Sequence, residues 1–186
     1  MANIETDAQV WYDKGVTLFE KGYYEEATKA FIQAIMINPD YAEAYYNLGV
    51  VYSRFDCYQE EVEAYKQAIR INPNHAEAYN NLGVAYADLN RYEEAVEAYK
   101  QAIRIDPNHA EAYYNLGGVY LKLNRYEEAV ESLKRAIQIN PNDADARRSL
   151  DMANIELRKN QQSTISPIII RYAGFWKRVV ALWVII

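Results

Sequence analysis

Residues 76–109 read AEAYNNLGVAYADLNRYEEAVEAYKQAIRIDPNH, and a shift of 34 residues in either direction lays this stretch on a copy of itself. Residues 110–143 (AEAYYNLGGVYLKLNRYEEAVESLKRAIQINPND) nearly repeat it, residues 42–75 are another copy, and Pro39, Pro73, Pro107 and Pro141 fall at the same interval. A unit of this length cannot bury its own apolar face and must stack on its neighbours. The chain is therefore a short repeat array.

Each unit reads as two antiparallel helices. Tyr79, Leu82, Gly83 and Tyr86 sit at i, i+3, i+4 and i+7, which predicts one helix over 76–88 with those residues on a single face. Asn90 and its equivalents Gly22, Asp56 and Asn124 mark the turn, because these residue types tolerate a left-handed backbone. A second helix follows over about 91–105, turning Ala95, Tyr99, Ala102 and Ile103 inward, and Pro107 cannot continue it. Asn108, like Asp40, Asn74 and Asn142, is of the type that caps a following helix. Gly83 and its equivalents, with Ala95 and Ala102, mark close helix approaches beside which larger aromatics fill the gaps.

Counted from Ala76, the recurring positions are Tyr79, Leu82-Gly83, Tyr86, Ala95, Tyr99, Ala102 and Pro107. This aromatic, Leu-Gly, Tyr, Ala, aromatic, Ala, Pro order resembles the tetratricopeptide repeat (TPR) family, over about four repeats. The resemblance implies an all-α fold, a right-handed α-α superhelix of helix-turn-helix repeats closed by a C-terminal capping helix. Its domain would span residues 1–162, with repeats at about 8–41, 42–75, 76–109 and 110–143 and a capping helix at about 144–160. Residues 163–186 would form a linker and hydrophobic tail.

Departures from the pattern are informative. Thr6 and Gln9 have capping-box spacing at the start of the first helix, and Lys14 replaces the usual Leu, as suits a repeat with no upstream neighbour. Glu61 occupies the place held by Ala27, Ala95 and Ala129. Either the helices splay there, or the Glu stem runs along the surface with its carboxylate in water. The second repeat is expected to be the least regular. After Pro141, Leu150 keeps the pattern while Arg147 and Asp151 depart from it, which suits a capping helix with a polar outer face.

Composition excludes several functions. A net charge of −6 argues against nucleic acid, whose phosphates need a basic surface. A single cysteine, Cys57, rules out an intramolecular disulfide framework and suits a reducing, cytoplasmic setting. His75 and His109 have no second ligand at metal spacing, and Cys57 has no base to activate it. The Glu-Glu pairs 25–26, 60–61, 93–94 and 127–128 recur with the repeat and complement helix N-termini. With no phosphate loop or nucleophile elbow, the expectation is no enzyme, no cofactor and no metal.

The TPR resemblance implies a groove lined by the first helices, contacted from recurring places in each repeat. Carried over here, those places give Tyr12, Val16, Glu43, Tyr46, Asn47, Val50, Glu77, Asn80, Asn81, Val84, Glu111, Tyr114 and Asn115. The Asn47–Asn81–Asn115 ladder could hold a peptide backbone by donating to its carbonyls and accepting from its N–H groups, or could simply be a structural feature of the repeat. TPR proteins that clamp C-terminal carboxylates use Lys or Arg where this chain has Glu and Tyr, so that ligand is not expected. An acidic, tyrosine-lined groove predicts a protein or peptide partner with apolar or aromatic side chains and some basic residues.

The tail ends in IIIRYAGFWKRVVALWVII, apolar with three cations. Its last apolar run, 179–186, is shorter than the roughly 20 residues that span a bilayer, yet Lys177-Arg178 precede it, and Trp176 flanks it and Trp183 lies within it, as at a membrane entry. The stretch 172–178 (YAGFWKR) resembles the opening of the RDD family of integral membrane domains, implying membrane proximity. Alternatively the tail has no partner, or Phe175, Trp176 and Trp183 fill the groove of this chain or a neighbour and make a homo-oligomer.

Overall fold

The computed structural model describes residues 4–162, with side chains from residue 7 onward. All regular structure in this range is helical. Four antiparallel pairs follow one another: α1 (Ile4–Glu20) with α2 (Tyr24–Ile37), α3 (Ala42–Ser53) with α4 (Tyr58–Ile71), α5 (Ala76–Asp88) with α6 (Tyr92–Ile105), and α7 (Ala110–Lys122) with α8 (Tyr126–Ile139). A last helix, α9 (144–162), lies over the end of the stack and buries Ala146 and Ala153, with Leu150 and Leu157 against the core.

The turn inside each pair rests on a left-handed residue. Asp56, Asn90 and Asn124 have φ of 54°, 57° and 57°, and Gly22 has φ of 80°. At Asn90 the chain reverses so that Arg91 N–H reaches back to Tyr86 O at 2.8 Å and Asn90 N–H to Ala87 O at 2.9 Å, satisfying carbonyls the helix leaves open. The Asn90 side chain also accepts from Tyr92 Oη at 2.7 Å, and Asn124 does the same for Tyr126. Asn90→Ala is expected to cost about 1–2 kcal/mol, the penalty of a Cβ in this conformation, while Asn90→Gly stays near neutral; urea unfolding of the two variants measures the difference.

The capping residues, though not the start of α5 at Ala76, differ from the sequence expectation by one residue. The N-terminal caps are Tyr41, His75 and His109, and Asp143 precedes α9, one residue beyond Asp40, Asn74, Asn108 and Asn142. The polar residue before each proline does the local work instead: Asn38, Asn72, Asp106 and Asn140 accept from the N–H two residues on. Among the caps, Asp143 Oδ1 accepts from Ala146 N–H at 2.9 Å and His75 Nδ1 from Ala78 N–H at 3.4 Å. Thr6 lies inside α1, so it is no cap, and Gln9 bonds Asp13 and Tyr41.

Small residues set the helix separation. A Cβ added at Gly83 would lie 2.6 Å from the Tyr99 ring, and the same contact recurs between Gly15 and Phe31, Gly49 and Tyr65, and Gly117 and Leu133. Each large side chain lies over the glycine of its own pair, which fixes the pair as a rigid unit.

The second repeat is irregular in a way the sequence did not suggest. α3 has 12 residues against 13 in α5 and α7. Glu61 does not put its carboxylate in water: the residue is 2 % exposed, and Oε2 is buried without a hydrogen-bond partner among the described residues. The place is buried in every repeat, as the fully buried Ala27, Ala95 and Ala129 show, so Glu61 enters the core beside Val62 and Tyr65. The apolar core divides at this level. One cluster holds Ala27, Phe31, Leu48 and Val51; the other runs from Val62 and Tyr65 to Ala153.

Candidate functional site

The odd-numbered helices share one face, and the side chains expected to line a groove fall along it. Glu43, Glu77 and Glu111 are exposed in a row, while Tyr12, Val16, Tyr46, Asn47, Val50, Asn81, Val84, Tyr114 and Asn115 are half-buried. Asn80 does not belong with them. It is fully buried, because a short amide at the place of Tyr12 and Tyr46 cannot reach outward, and it turns inward to bond Asn115, Asn81 and Glu111.

The asparagine ladder is tied from repeat to repeat. Asn47 Nδ2 donates to Tyr12 Oη at 3.0 Å, Asn81 Nδ2 to Tyr46 Oη at 3.2 Å, and Asn115 Nδ2 to Asn80 Oδ1 at 3.1 Å. Each bond links residues 35 apart, one rung per stacked repeat. Having accepted from an amide, the tyrosine hydroxyls keep their own protons to donate. They stay neutral: burial above all pushes the Tyr46 phenol up, with Glu77 and Glu111 adding to it, and burial with Glu43 and Asp13 does the same at Tyr12. Of the expected ladder amides, Asn47 and Asn115 keep Oδ1 acceptors with no partner among the described residues.

A second row was missed from the sequence. In the first two repeats the last residue packs on the fifth residue of its own repeat, 29 positions back. Tyr41 lies 5.0 Å from the Tyr12 ring and donates to Gln9 Oε1 at 2.6 Å; its phenol is pushed up to about 12, chiefly by burial. His75 lies 4.7 Å from the Tyr46 ring, and burial lowers its pKa against the pull of Glu43 and Glu77. His109 is buried with Nε2 3.5 Å from Glu77. The signal was a hydrogen-bonding ring at a fixed period, read only as a loop residue. No group of three or more His, Cys, Asp or Glu among the described residues could hold a metal ion.

Three successive clefts open along this face among the described residues. The first, between α3 and α5, is about 280 Å³ and is lined by Val50, Ser53, Arg54, Asn81 and Val84, with Glu61 and Tyr65 at its base. The second, between α5 and α7, is about 340 Å³, with Tyr99 below and Val84, Tyr114, Asn115 and Val119 around it. The third, between α7 and α9, is about 640 Å³ and the most apolar, lined by Leu121, Tyr126, Met152 and Ile155. Met152 and Ile155 are half-exposed there. A cleft of about 560 Å³ between α7 and α8 lies off this face, lined by charges of both signs.

Residues 2–166 match the family model described as the C-terminal domain of cilia and flagella-associated protein 70, a TPR domain. The chain belongs to this TPR family. Solved structures agree on the fold, a right-handed α-α superhelix. The crystal structure of MamA protein superposes with a TM-score of 0.78 at 25 % identity, covering 85 % of this chain and 86 % of that one. YrrB, described as a TPR protein with an unusual peptide-binding site, gives 0.70 at 28 % identity over 76 % of this chain and 73 % of its own. PilF of Pseudomonas aeruginosa gives 0.74 at 23 % identity over 84 % and 71 %. No curated protein matches. The family match ends at residue 166, and the RDD likeness of 172–178 and the tail contacts Phe175, Trp176 and Trp183 lie outside the described residues. No helix among the described residues is long and apolar enough to cross a membrane.

Proposed function

We propose that this TPR domain is a protein-interaction scaffold that holds an extended peptide or partner helix along the face of its odd-numbered helices. The observation that carries this is the rung pattern: the Tyr12 and Tyr46 hydroxyls and the Asn47 and Asn115 carbonyls keep unused hydrogen-bonding capacity on a half-exposed, acidic face. Those groups suit a peptide backbone, which offers both a carbonyl and an N–H at every residue. YrrB supports the same use by analogy, as a relative described by its peptide-binding site.

The test is selection of a phage-displayed random dodecapeptide library on the full chain. Peptides so obtained lose at least tenfold in affinity for the triple variant Tyr46→Ala, Asn81→Ala, Tyr114→Ala, whose far-ultraviolet circular dichroism stays that of the parent. Equal affinity for the variant, or no selected peptide at all, rejects the proposal.

A second occupant is favoured by the third cleft, whose apolar wall of Leu121, Met152 and Ile155 lies beside the point where α9 leads into residues 163–186. Light scattering on the full chain and on a chain ending at Gln162 separates the two. A defined oligomer formed only by the full chain makes the tail the occupant; two monomers leave the groove to a foreign partner.

A further inference from the structure

We infer that the first cleft is a receptor for one basic side chain of the bound peptide, a lysine ammonium or arginine guanidinium placed against Glu61. The inference rests on the peptide-binding role above and assigns its specificity.

A buried carboxylate oxygen needs a partner, and leaving one unmade is costly. Oε2 of Glu61 has none within the described chain. The residue stands at the base of a cleft lined by Ser53 and by three of the groove positions, Val50, Asn81 and Val84. The other three repeats carry alanine at this place, fully buried, so the stack does not need a carboxylate there. Asp88 on α5 and Asp56 in the α3–α4 turn both act on Glu61 with the same sign of charge. Against these anions stands Arg54 at the rim, exposed and in no ion pair with Glu61. A ligand cation entering here gives Oε2 the charged donor it lacks, and a charge-assisted bond away from water is stronger than an ordinary one.

The neighbouring clefts give the inference a sequence pattern. The second and third are floored by Tyr99 and walled by Leu121, Met152 and Ile155, which take apolar side chains. Packed helices stand roughly 10 Å apart, and an extended peptide advances about 3.3 Å per residue, so successive clefts take residues about three apart. The ligand therefore carries a basic residue, an apolar or aromatic one about three positions away, and another about three beyond that.

The same dodecapeptide library, selected at pH 8 against the full chain and against Glu61→Ala and Glu61→Gln, decides it. Alanine is the residue of the other repeats, so that variant folds; glutamine keeps the shape without the charge. Selection on the parent enriches Lys or Arg at that spacing. Both variants lose the enrichment and bind the parent's peptides at least tenfold more weakly, while the apolar preferences persist. Arg54→Ala keeps the basic preference. Peptides without a basic position, or with one that both variants still select, overturn the inference and leave the groove intact, the exposed Glu43–Glu77–Glu111 row then being the source of any charge preference. A library that yields nothing on the parent overturns both.

Discussion

Glu61→Ala makes the chain more stable at pH 8 and slightly less stable at pH 4. In the folded chain, burial first, and then Asp88 and Asp56, push the Glu61 carboxyl from its ordinary value near 4.5 up to about 7, with the Ser53 hydroxyl pulling the other way. A group whose folded pKa is raised favours the fold fully below its unfolded pKa, and that contribution is lost as pH rises through the folded value. The window is therefore about 4.5 to 7. Above it the parent carries a handicap on the order of 2–3 kcal/mol that alanine lacks. Against this stands the packing of the Glu stem, whose removal costs about 1 kcal/mol at any pH. The two together give a net gain of about 1–2 kcal/mol at pH 8 and a loss of about 1 kcal/mol at pH 4. Urea unfolding of both chains at pH 4, 6 and 8 measures this. A difference that does not change with pH would mean the carboxylate is solvated after all.

Two helical glycines respond to the same substitution with opposite signs. Gly83→Ala drives a methyl to within 2.6 Å of the Tyr99 ring, which is itself 2 % exposed and has nowhere to go. Overpacking of this kind costs about 1–3 kcal/mol. Gly118 has nothing within 4 Å of an added Cβ, so Gly118→Ala stabilises α7 by about 0.5–1 kcal/mol through helix propensity. The steric cause is checked by a cycle. Placed in a Tyr99→Ala background, Gly83→Ala becomes neutral or stabilising, because the ring that opposed it is gone. A cost that survives removal of the ring would place the strain elsewhere in the helix pair.

Much of this was written in the period. Once residues 76–109 were laid on their neighbours, the bounds of α5 and the left-handed turn at Asn90 followed, since each rests on local chemistry repeated several times. What escaped depends on geometry between repeats. The caps were placed one residue early because Asx chemistry was credited to the residue after proline, whereas the one before it holds the loop. Asn80 was placed beside Tyr12 and Tyr46 because it shares their position, but an amide lacks the reach of a phenol and bonds inward instead. For Glu61 the sequence offered two readings, splayed helices or a carboxylate in water, and the structure buries the carboxylate instead. Its burial belongs to the place, which is closed in every helix pair, and Ala27, Ala95 and Ala129 were the signal for it.

The division of the core at Glu61 bears on how the solenoid opens. In a stack where each unit touches only its neighbours, cooperativity is passed along by the interfaces, and the weakest interface sets where it stops. Here the two apolar clusters meet within the second repeat, but Gly49 under the Tyr65 ring ties α3 to α4, so the weakest seam lies between the first pair and the second, at α2 and α3. The first pair, α1 and α2, is thus the unit able to detach while α3 to α9 stay assembled. A peptide lying along the odd-numbered helices would cross that seam from α1 to α3 and weld the first pair to the rest, so that occupancy of the groove lengthens the cooperative unit of the whole molecule.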